Sequence, residues 1–533
     1  MPFRSPLPDV DIPDVTLYDL LFADLADADL ERPAVIDGPS GAVTTYGALR
    51  DQVDAVAGAL AARGVRPGDV VALLSPNVPA FVPVFHGALR AGATVTTINA
   101  LATGGDVASQ LTDSGATLLL TVSPLLPAAA AGAERAGLPA GRVVVLDGTD
   151  GHESLADLLA EARPAPDVTV DPATHLAVLP YSSGTTGRPK GVMLTHRNLV
   201  ANVLQTSAMI DVTPSDRVLA VLPFFHIYGM TVLLNLALRA RAVLVTMPRF
   251  DLPEFLRITQ EERCSFLFIA PPVAVALAKH PLIDRYDLST VREVISGAAP
   301  LDGELGGAVG RRLGCVVRQG YGMTETSPVA LLVPATGDVP LSSIGIPVPN
   351  VECRVVDPAT GDEIPLPASG VSAPGELQVR GPNIMVGYLG NPQATADTLD
   401  ADGWLHTGDV VTATPDGVVT VVDRLKELIK YKGYQVAPAE LEALLLTHPG
   451  IADAAVVAAR DAEGEEVPKA FVVLQDGADL SADDVMDFVA ERVAPYKKVR
   501  EVVFIDAVPK SASGKILRKD LRTVDQGASE VTA

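Results

Sequence analysis

The feature that most constrains the fold is an alternation of short apolar runs with longer stretches of helical period. Each of four runs is rich in Val, Ile, Leu or Phe and precedes a stretch whose apolar residues recur at helical spacing. The runs are 70–76, 241–247, 264–272 and 292–300. Strands followed by helices in this order build parallel sheets that carry helices on both faces. The sequence therefore predicts doubly wound α/β architecture, with ligands at the carboxyl ends of the strands.

The pattern changes twice in the second half of the chain. From about residue 340 to 424, short runs separated by Gly, Pro and Asn predict a mainly β subdomain. Beyond it, a helix beginning at Pro438, two strands, a helix capped by Ser481 and a last strand predict a small, mobile α/β domain. A chain of 533 residues is too long for one core. We therefore predict a large N-terminal domain, 1–424, and a C-terminal domain, 425–533, joined by a hinge near 423–433.

Composition excludes several classes of partner. Acidic residues outnumber basic ones by 65 to 41, which gives a net charge of −24 and disfavours nucleic acid or anionic lipid as the main partner. The three cysteines stand singly, so neither a disulfide framework nor a zinc site is indicated. Polar residues interrupt the apolar segment 218–245, which favours a buried strand and helix over a membrane span. With no signal peptide visible, we expect a cytoplasmic protein that is a monomer or a weak homodimer.

The strongest local motif is SSGTTGRPKG at 182–191, in which seven of ten residues are Ser, Thr or Gly. A strand-like run precedes it, and Thr195 is placed to cap the helix that follows. Glycines let a backbone approach a ligand closely, while hydroxyls, amides and Lys190 supply donors to phosphate oxygens. A flexible surface loop is the alternative interpretation. A Walker P-loop is excluded because Gly191, and not Ser or Thr, follows Lys190.

The longer segment SSGTTGRPKGVMLTH resembles the phosphate loop of the adenylate-forming superfamily, which includes acyl-CoA synthetases, firefly-type luciferases and peptide-synthetase adenylation domains. Further segments resemble that superfamily in the same order: 319–328, 403–409, 423–442 and 509–521. Within it, PFFHIYG at 223–229, SGAAPL at 296–301 and IKYKGYQVAP most resemble 4-coumarate–CoA ligases. The resemblance implies an AMP-forming acid–CoA ligase that uses ATP, Mg²⁺ and CoA.

The resemblance assigns nucleotide contacts to residues in these motifs. They are Ser182, Ser183, Gly184, Thr185, Thr186, Gly187, Lys190, Gly297, Ala298, Ala299, Gln319, Gly320, Tyr321, Gly322, Thr324, Asp409, Arg424, Lys430 and Gln435.

Four residues are expected to act in catalysis by the same resemblance. Lys515 would bridge the carboxylate and the phosphate as charge develops, although a solvated lysine in a basic tail is its ordinary interpretation. Thr324 would contact the α-phosphate. Glu325 would bind Mg²⁺, since one carboxylate plus ATP oxygens and waters suits that ion. His226 would gate the acyl pocket, although a buried, hydrogen-bonded histidine is common in an apolar run.

The acyl pocket and the CoA path also follow from the resemblance. The pocket would be lined by His226, Tyr228, Ile295, Ala298, Gly322, Pro328 and Val329. Lys432 and Gly433 would line the CoA tunnel, where a missing side chain admits a thin thiol arm, and Lys426 would be the pivot of the hinge.

One departure from the family bears on the substrate. Ile295 stands where plant coumarate ligases tend to carry a lysine, so a strict preference for 4-hydroxycinnamates does not follow.

Alternatives stay open at this point. Medium- or long-chain fatty acids are rival substrates, and a carrier protein is a rival acceptor. A kinase that uses the glycine-rich loop would release ADP, whereas a ligase of this class releases AMP and pyrophosphate.

Overall fold

A computed structural model describes residues 2–182, 189–337, 339–431, 434–461, 466–511, 516–518 and 520–521, and only the backbone of Tyr434 and Gln435. What we call the first sheet has the strand order Gly387–Tyr388, Lys190–Thr195, Leu176–Val178, Thr94–Ile98, Val70–Leu74, Ala116–Thr121 and Val143–Val145, with Tyr181–Ser182 beside Lys190–Thr195. The second sheet has the order Ile346–Pro347, Val329–Leu332, Val316–Gly322, Glu293–Ser296, Phe266–Ile269, Arg217–Ala220, Val243–Thr246, Pro33–Asp37 and Val43–Thr45.

The third sheet is antiparallel throughout its described strands. Its order is Phe3–Arg4, Glu352–Val356, Gly375–Arg380, Leu405–Ala413 and Val419–Arg424, with Glu363–Ile364 beside Glu352–Val356. The C-terminal region has the hairpin Ile429–Tyr431 and Tyr434–Val436 and the sheet Ile451–Arg460, Glu466–Leu474 and Glu501–Phe504. These sheets confirm the predicted doubly wound α/β regions, the β-rich region and the small α/β region after it.

Helices cover the faces of the first and second sheets and pack on the C-terminal sheet. The α-helices are Asp27–Leu30, Tyr46–Ala62, Phe81–Arg90, Gly104–Ser114, Leu126–Ala136, Leu155–Ala160, His196–Ser207, Leu236–Arg239, Leu252–Glu261, Pro271–Lys279, Gly303–Leu313, Pro392–Thr398, Pro438–Leu446 and Ala482–Ala490. The π-helices are Asp19–Ala23 and Gly229–Asn235, and the 3₁₀ helices are Ser123–Leu125, Ala140–Arg142, Pro281–Arg285, Thr324–Thr326 and Pro495–Lys497. In the described part of the chain, no helix has the length and apolar composition needed to cross a bilayer.

Consecutive buried residues explain why the strands read as unbroken apolar runs. All four residues of Phe266–Ile269 are buried, and so are the last four of Val70–Leu74. A parallel strand with helices on both faces has no solvent side, so polar residues are not needed at alternate positions. The apolar runs of the sequence therefore mark the interior of each sheet.

The helix His196–Ser207 begins as the sequence predicts. The Thr195 hydroxyl accepts a hydrogen bond from the Asn198 amide at 3.2 Å, and the Asn198 side chain accepts one from the Thr195 amide at 2.9 Å. This reciprocal cap satisfies donors that have no partner within a helix. Leu199, Val200 and Val203 are buried on the face that packs on the core. The cap thus fixes the point where the strand Lys190–Thr195 ends and the helix begins.

A buried ion pair joins the two strands that lead into the candidate site. The Arg318 guanidinium donates from Nε to Glu293 Oε1 at 2.7 Å and from Nη1 to the carbonyl oxygens of Met209 at 2.9 Å and Val333 at 3.2 Å. Arg318 is 1% exposed and Glu293 is 6% exposed. Because so little water reaches the pair, each charge depends on the other for its stabilisation.

We expect Arg318→Met to lower the free energy of unfolding by about 3–5 kcal/mol, because it leaves the Glu293 carboxylate buried without its partner. Scanning calorimetry should show a lower melting temperature for the transition of the large domain. The matched control is the double variant Arg318→Met/Glu293→Met, which removes both charges and should recover much of the loss. Equal melting temperatures for the single variant and the wild type would contradict this account.

Candidate active site

The candidate site lies at the carboxyl ends of neighbouring parallel strands of the second sheet. Glu293–Ser296 leads into Gly297, and Val316–Gly322 leads into the turn Thr324–Thr326. The Gly297 amide donates to the Ile269 carbonyl oxygen at 3.0 Å. A Cβ at Gly297 would lie 2.7 Å from a ring carbon of Tyr228. Glycine is therefore required for the backbone to lie against the Tyr228 ring.

Three of the predicted acyl-pocket residues, Tyr228, Ile295 and Val329, belong to one apolar cluster, which we call the apolar wall. The Tyr228 hydroxyl donates to the Ile295 carbonyl oxygen at 3.3 Å, and Ile295 is 2% exposed in the same apolar cluster. The Tyr228 amide donates to His226 Nδ1 at 3.3 Å, so the neutral His226 ring carries its proton on Nε2. Burial raises the pKa of Tyr228, which keeps its hydroxyl a donor.

Gly322, another predicted pocket residue, lies against the backbone of Pro328. A Cβ at Gly322 would lie 2.0 Å from the Pro328 carbonyl oxygen, so a side chain there is incompatible with this backbone. Val329 follows and is buried. Ala298 has a φ of 71° and an exposed side chain next to Gly297. Among the predicted pocket residues, Tyr228 thus lies with Ile295 and Gly297, and Gly322 lies with Pro328 and Val329.

A second group links the second sheet to the third. The Tyr321 hydroxyl donates to Asp409 Oδ2 at 2.5 Å, and Arg424 Nε lies 3.2 Å from Asp409 Oδ1. Asp409 is 5% exposed, and Asp409 and Arg424 are partners in the strand pairing of the third sheet. Burial, and then the negative charge of Asp409, raise the pKa of Tyr321 well above its usual value. The tyrosine remains protonated and fixes one oxygen of the carboxylate.

A third group links the first sheet to the second. The Tyr388 hydroxyl donates to Glu325 Oε1 at 2.8 Å, and the Lys190 ammonium lies 4.4 Å from the centroid of the Tyr388 ring. Glu325 is 6% exposed. Burial, and then the charge of Glu325, raise the pKa of Tyr388. Residues from all three large sheets therefore converge on one region.

Tyr388 is a residue of the site that the sequence analysis missed. It lies between glycines in GYLG, where a tyrosine carries no local sign of chemistry. Its importance comes from contacts with Lys190 and Glu325, which are both distant in the chain. Only the positions of those two residues within recognised motifs could have directed attention to a third side chain between them.

Other predicted residues have different surroundings. The Gln319 side chain accepts from the Leu301 amide at 2.7 Å and donates to the carbonyl oxygens of Leu341 at 3.0 Å and Ser343 at 2.8 Å. It therefore fixes backbone beside the site. Lys426 and Lys430 are exposed near the start of the C-terminal region.

Several predicted residues lie outside the part of the chain that the structure describes. They are Ser183, Gly184, Thr185, Thr186, Gly187, Lys432, Gly433 and Lys515, and Gln435 is described by its backbone alone. Ser182 ends the strand before the glycine-rich loop, and Thr324 is buried in the turn that carries Glu325.

Comparison with known families decides which class of enzyme carries this site. The family described as AMP-binding enzyme matches residues 22–389, which is more than half of the chain. The chain belongs to the AMP-binding enzyme family. The C-terminal domain of AMP-binding enzymes also matches, over residues 440–515.

Curated relatives of this AMP-binding enzyme align over nearly the whole chain. It is 44% identical to 4-coumarate–CoA ligase 5 of Oryza sativa subsp. japonica, over 98% of this chain and 96% of that protein. It is 42% identical to 4-coumarate–CoA ligase 1 of Solanum tuberosum, with the same two shares covered.

Solved structures agree with that assignment. ATP-bound MatB from Rhodopseudomonas palustris superposes with a TM-score of 0.87 at 30% identity, over 96% of this chain and 99% of that one. The anthranilate CoA ligase AuaEII in complex with anthranoyl-AMP superposes with a TM-score of 0.87 at 26% identity, over 97% and 98% of the two chains. This AMP-binding enzyme is an AMP-forming acid–CoA ligase.

Proposed function

We propose that this acid–CoA ligase acts on cinnamate- and 4-coumarate-like acids. The proposal is carried by the alignment of nearly the full chain, at 42–44% identity, with ligases named for 4-coumarate. The apolar cluster that contains Tyr228, Ile295 and Val329 supports it, because an aryl ring is bound mainly through apolar contacts. The side chain at position 295 of this wall is the apolar Ile295, so that position supplies no ammonium to bind a ring hydroxyl.

The reaction would proceed in two steps at this site. A carboxylate oxygen attacks the α-phosphorus of ATP, the bond to the β-phosphate oxygen breaks, and pyrophosphate leaves. The thiol sulfur of CoA then attacks the acyl carbon, loses its proton, and AMP leaves with the electron pair of the mixed anhydride. Because the first step gathers negative charge, the chain must hold the phosphates and the carboxylate in line and balance that charge.

We propose the following division of labour in the first step. Lys190, with the hydroxyls at the glycine-rich loop, would bind phosphate oxygens, and Thr324 would contact the α-phosphate. Asp409 would accept hydrogen bonds from the ribose hydroxyls. Each of its oxygens has two acceptor sites, so the bonds from Tyr321 and Arg424 leave capacity for the ribose. Gly297, Ala298 and Ala299 would lie beside the adenine.

The donor set also fits Mg²⁺, the ion that the resemblance to adenylate-forming enzymes implies. In the described part of the chain no three His, Cys, Asp or Glu side chains form a metal cage. A single buried carboxylate, Glu325, suits an ion that retains several waters and binds substrate phosphates. When bound, the ion would neutralise charge on the phosphates. Glu325 would hold it, and the hydrogen bond from Tyr388 keeps that carboxylate in place.

The C-terminal domain would serve the two steps in turn. We propose that Lys515 acts in adenylate formation, that Lys430 and Gln435 contact AMP, and that Lys432 and Gly433 line the path of CoA. Rotation about Lys426 would exchange the first set for the second. The exposure of Lys426 and Lys430 supports this, because neither is held in the core of a domain.

We expect broad acceptance of ring substituents, measured as kcat/KM with a panel of acids. Apolar pockets discriminate by only about 1–3 kcal/mol per methylene and reject an added hydroxyl weakly, so cinnamate and 4-coumarate should differ by less than about a hundredfold. Ala298→Gly should admit bulkier substituents. Octanoate is the matched non-aromatic acid. The aryl-acid proposal would be overturned if kcat/KM for octanoate exceeded that for cinnamate by more than about tenfold, which corresponds to about 1.4 kcal/mol.

A further inference from the structure

The backbone around Tyr388 is anchored to both halves of the nucleotide site. The strand Gly387–Tyr388 pairs antiparallel with Lys190–Thr195, the strand that leaves the glycine-rich loop. Three residues earlier, the Met385 amide donates to the backbone oxygen of Glu325 at 2.9 Å. The Tyr388 side chain is 6% exposed. This short segment therefore spans the gap between the phosphate-binding strand and the turn that carries Glu325.

The Tyr388 side chain uses two different parts of its surface. Its hydroxyl donates to Glu325 Oε1 at 2.8 Å. Its ring face receives the Lys190 ammonium, 4.4 Å from the centroid, where the negative face of an aromatic ring attracts a cation. Within the described ranges, no other side chain or amide donates to the Glu325 carboxylate, and Lys190 forms no ion pair. The tyrosine thus contacts a cation and an anion that do not contact each other.

A direct ion pair between Lys190 and Glu325 would neutralise the two groups that ATP and its metal need. The contact of the Tyr388 ring with the ammonium and the hydrogen bond of its hydroxyl to the carboxylate would both oppose that ion pair. The contact with the ring holds Lys190 without removing its charge, since a ring face accepts no proton. The hydroxyl orients the carboxylate and leaves its other oxygen for a cation.

We propose that Tyr388 is a positioning residue that holds Glu325 for Mg²⁺ and Lys190 for the ATP phosphates and keeps the two apart. The inference rests on the proposed roles of Glu325 and Lys190. Hydrogen-bond partners of metal ligands orient those ligands, and their loss lowers metal affinity by about 10- to 100-fold.

The test is calorimetric titration of the full-length enzyme with ATP, once with saturating Mg²⁺ and once with EDTA. The dissociation constant in EDTA divided by the dissociation constant in Mg²⁺ measures the coupling between the ion and the nucleotide. We expect Tyr388→Phe to reduce that ratio by about tenfold or more while leaving the EDTA value nearly unchanged, since the ring still faces Lys190. Tyr388→Leu, which also removes the ring, should weaken ATP binding in EDTA as well.

The controls separate this inference from the proposed role of Glu325. Tyr18→Phe loses a comparable hydroxyl–carboxylate bond, Tyr18 to Asp54 at 2.9 Å, remote from the site, and should leave the ratio unchanged. Glu325→Gln should reduce the ratio, and adding Tyr388→Phe should reduce it little further, because groups that act through one another are not additive.

Three results would overturn the inference. One is a ratio in Tyr388→Phe that equals that of the wild type, while the ratio in Glu325→Gln is reduced. Another is equal weakening of ATP binding with and without Mg²⁺ in Tyr388→Phe, which would indicate a purely structural role. If Glu325→Gln itself leaves the ratio unchanged, the proposed metal role of Glu325 fails first, and the inference fails with it.

Discussion

Replacement of Lys515 by alanine should abolish most adenylate formation and spare thioester formation. Deleting one preorganised group that meets charge in the transition state costs about 10²- to 10³-fold in rate. Lys515 is proposed to act only while the carboxylate attacks ATP. The acid-dependent exchange of labelled pyrophosphate into ATP should therefore fall by at least that factor. The same variant, supplied with synthetic acyl-adenylate and CoA, should form thioester at nearly the wild-type rate.

A neighbouring lysine provides the matched control. Lys510 lies in the same segment, and its ammonium forms an ion pair with Asp453 at 2.5 Å. Lys510→Ala removes an equal charge from the region without removing the proposed catalytic group, so both half-reactions should persist. Equal losses in the two half-reactions of Lys515→Ala would refute its assignment to the first step alone.

Asp409→Asn should raise the dissociation constant of ATP by about 10- to 100-fold. Hydrogen bonds to a charged group contribute about 1.5–3 kcal/mol, and each 1.4 kcal/mol is a factor of ten in affinity. The neutral amide would lose charge-assisted bonds to the ribose and its attraction to Arg424. Calorimetric titration with ATP measures the effect directly. The KM for the acid should change little, because Asp409 lies with Tyr321 and Arg424 and not with the apolar wall.

The control for Asp409 lies on the same β-hairpin. Asp409 pairs with Arg424 at the open end of the strands Leu405–Ala413 and Val419–Arg424, whereas Asp416 is exposed in the turn at the other end. Asp416→Asn makes the same chemical change away from the site and should leave ATP affinity unaltered. An unchanged affinity for ATP in Asp409→Asn would contradict the proposal that Asp409 binds the ribose.

Much of the architecture is readable from local sequence. Strands buried on both faces must be apolar along their whole length, so 70–74 and 266–269 were visible as unbroken runs. Thr195 with Asn198 three residues later specifies a helix start through contacts within one turn. The ordered motifs indicate the reaction class through their resemblance to the adenylate-forming superfamily, and each is a short, continuous segment. Such information lies within about ten residues of chain.

Contacts between distant segments were not readable in this way. Gln319 was grouped with the nucleotide residues, yet its amide binds the backbone at Leu301, Leu341 and Ser343. Tyr321 was also grouped with the nucleotide residues, yet its hydroxyl donates to Asp409. A side chain with both polar and apolar parts has several possible partners, and its sequence neighbours do not select among them.

The sequence by itself therefore indicates the strands, the start of the helix at His196 and the glycine-rich motif, and its resemblance to a known superfamily indicates the adenylate-forming chemistry. Tertiary structure decides which side chains meet where the three large sheets converge, as Lys190, Tyr388 and Glu325 do. The physical reason is that periodicity and capping depend on groups a few residues apart. The partners of a buried hydroxyl or ammonium depend on how whole sheets pack, and that is set by the summed burial of many distant residues.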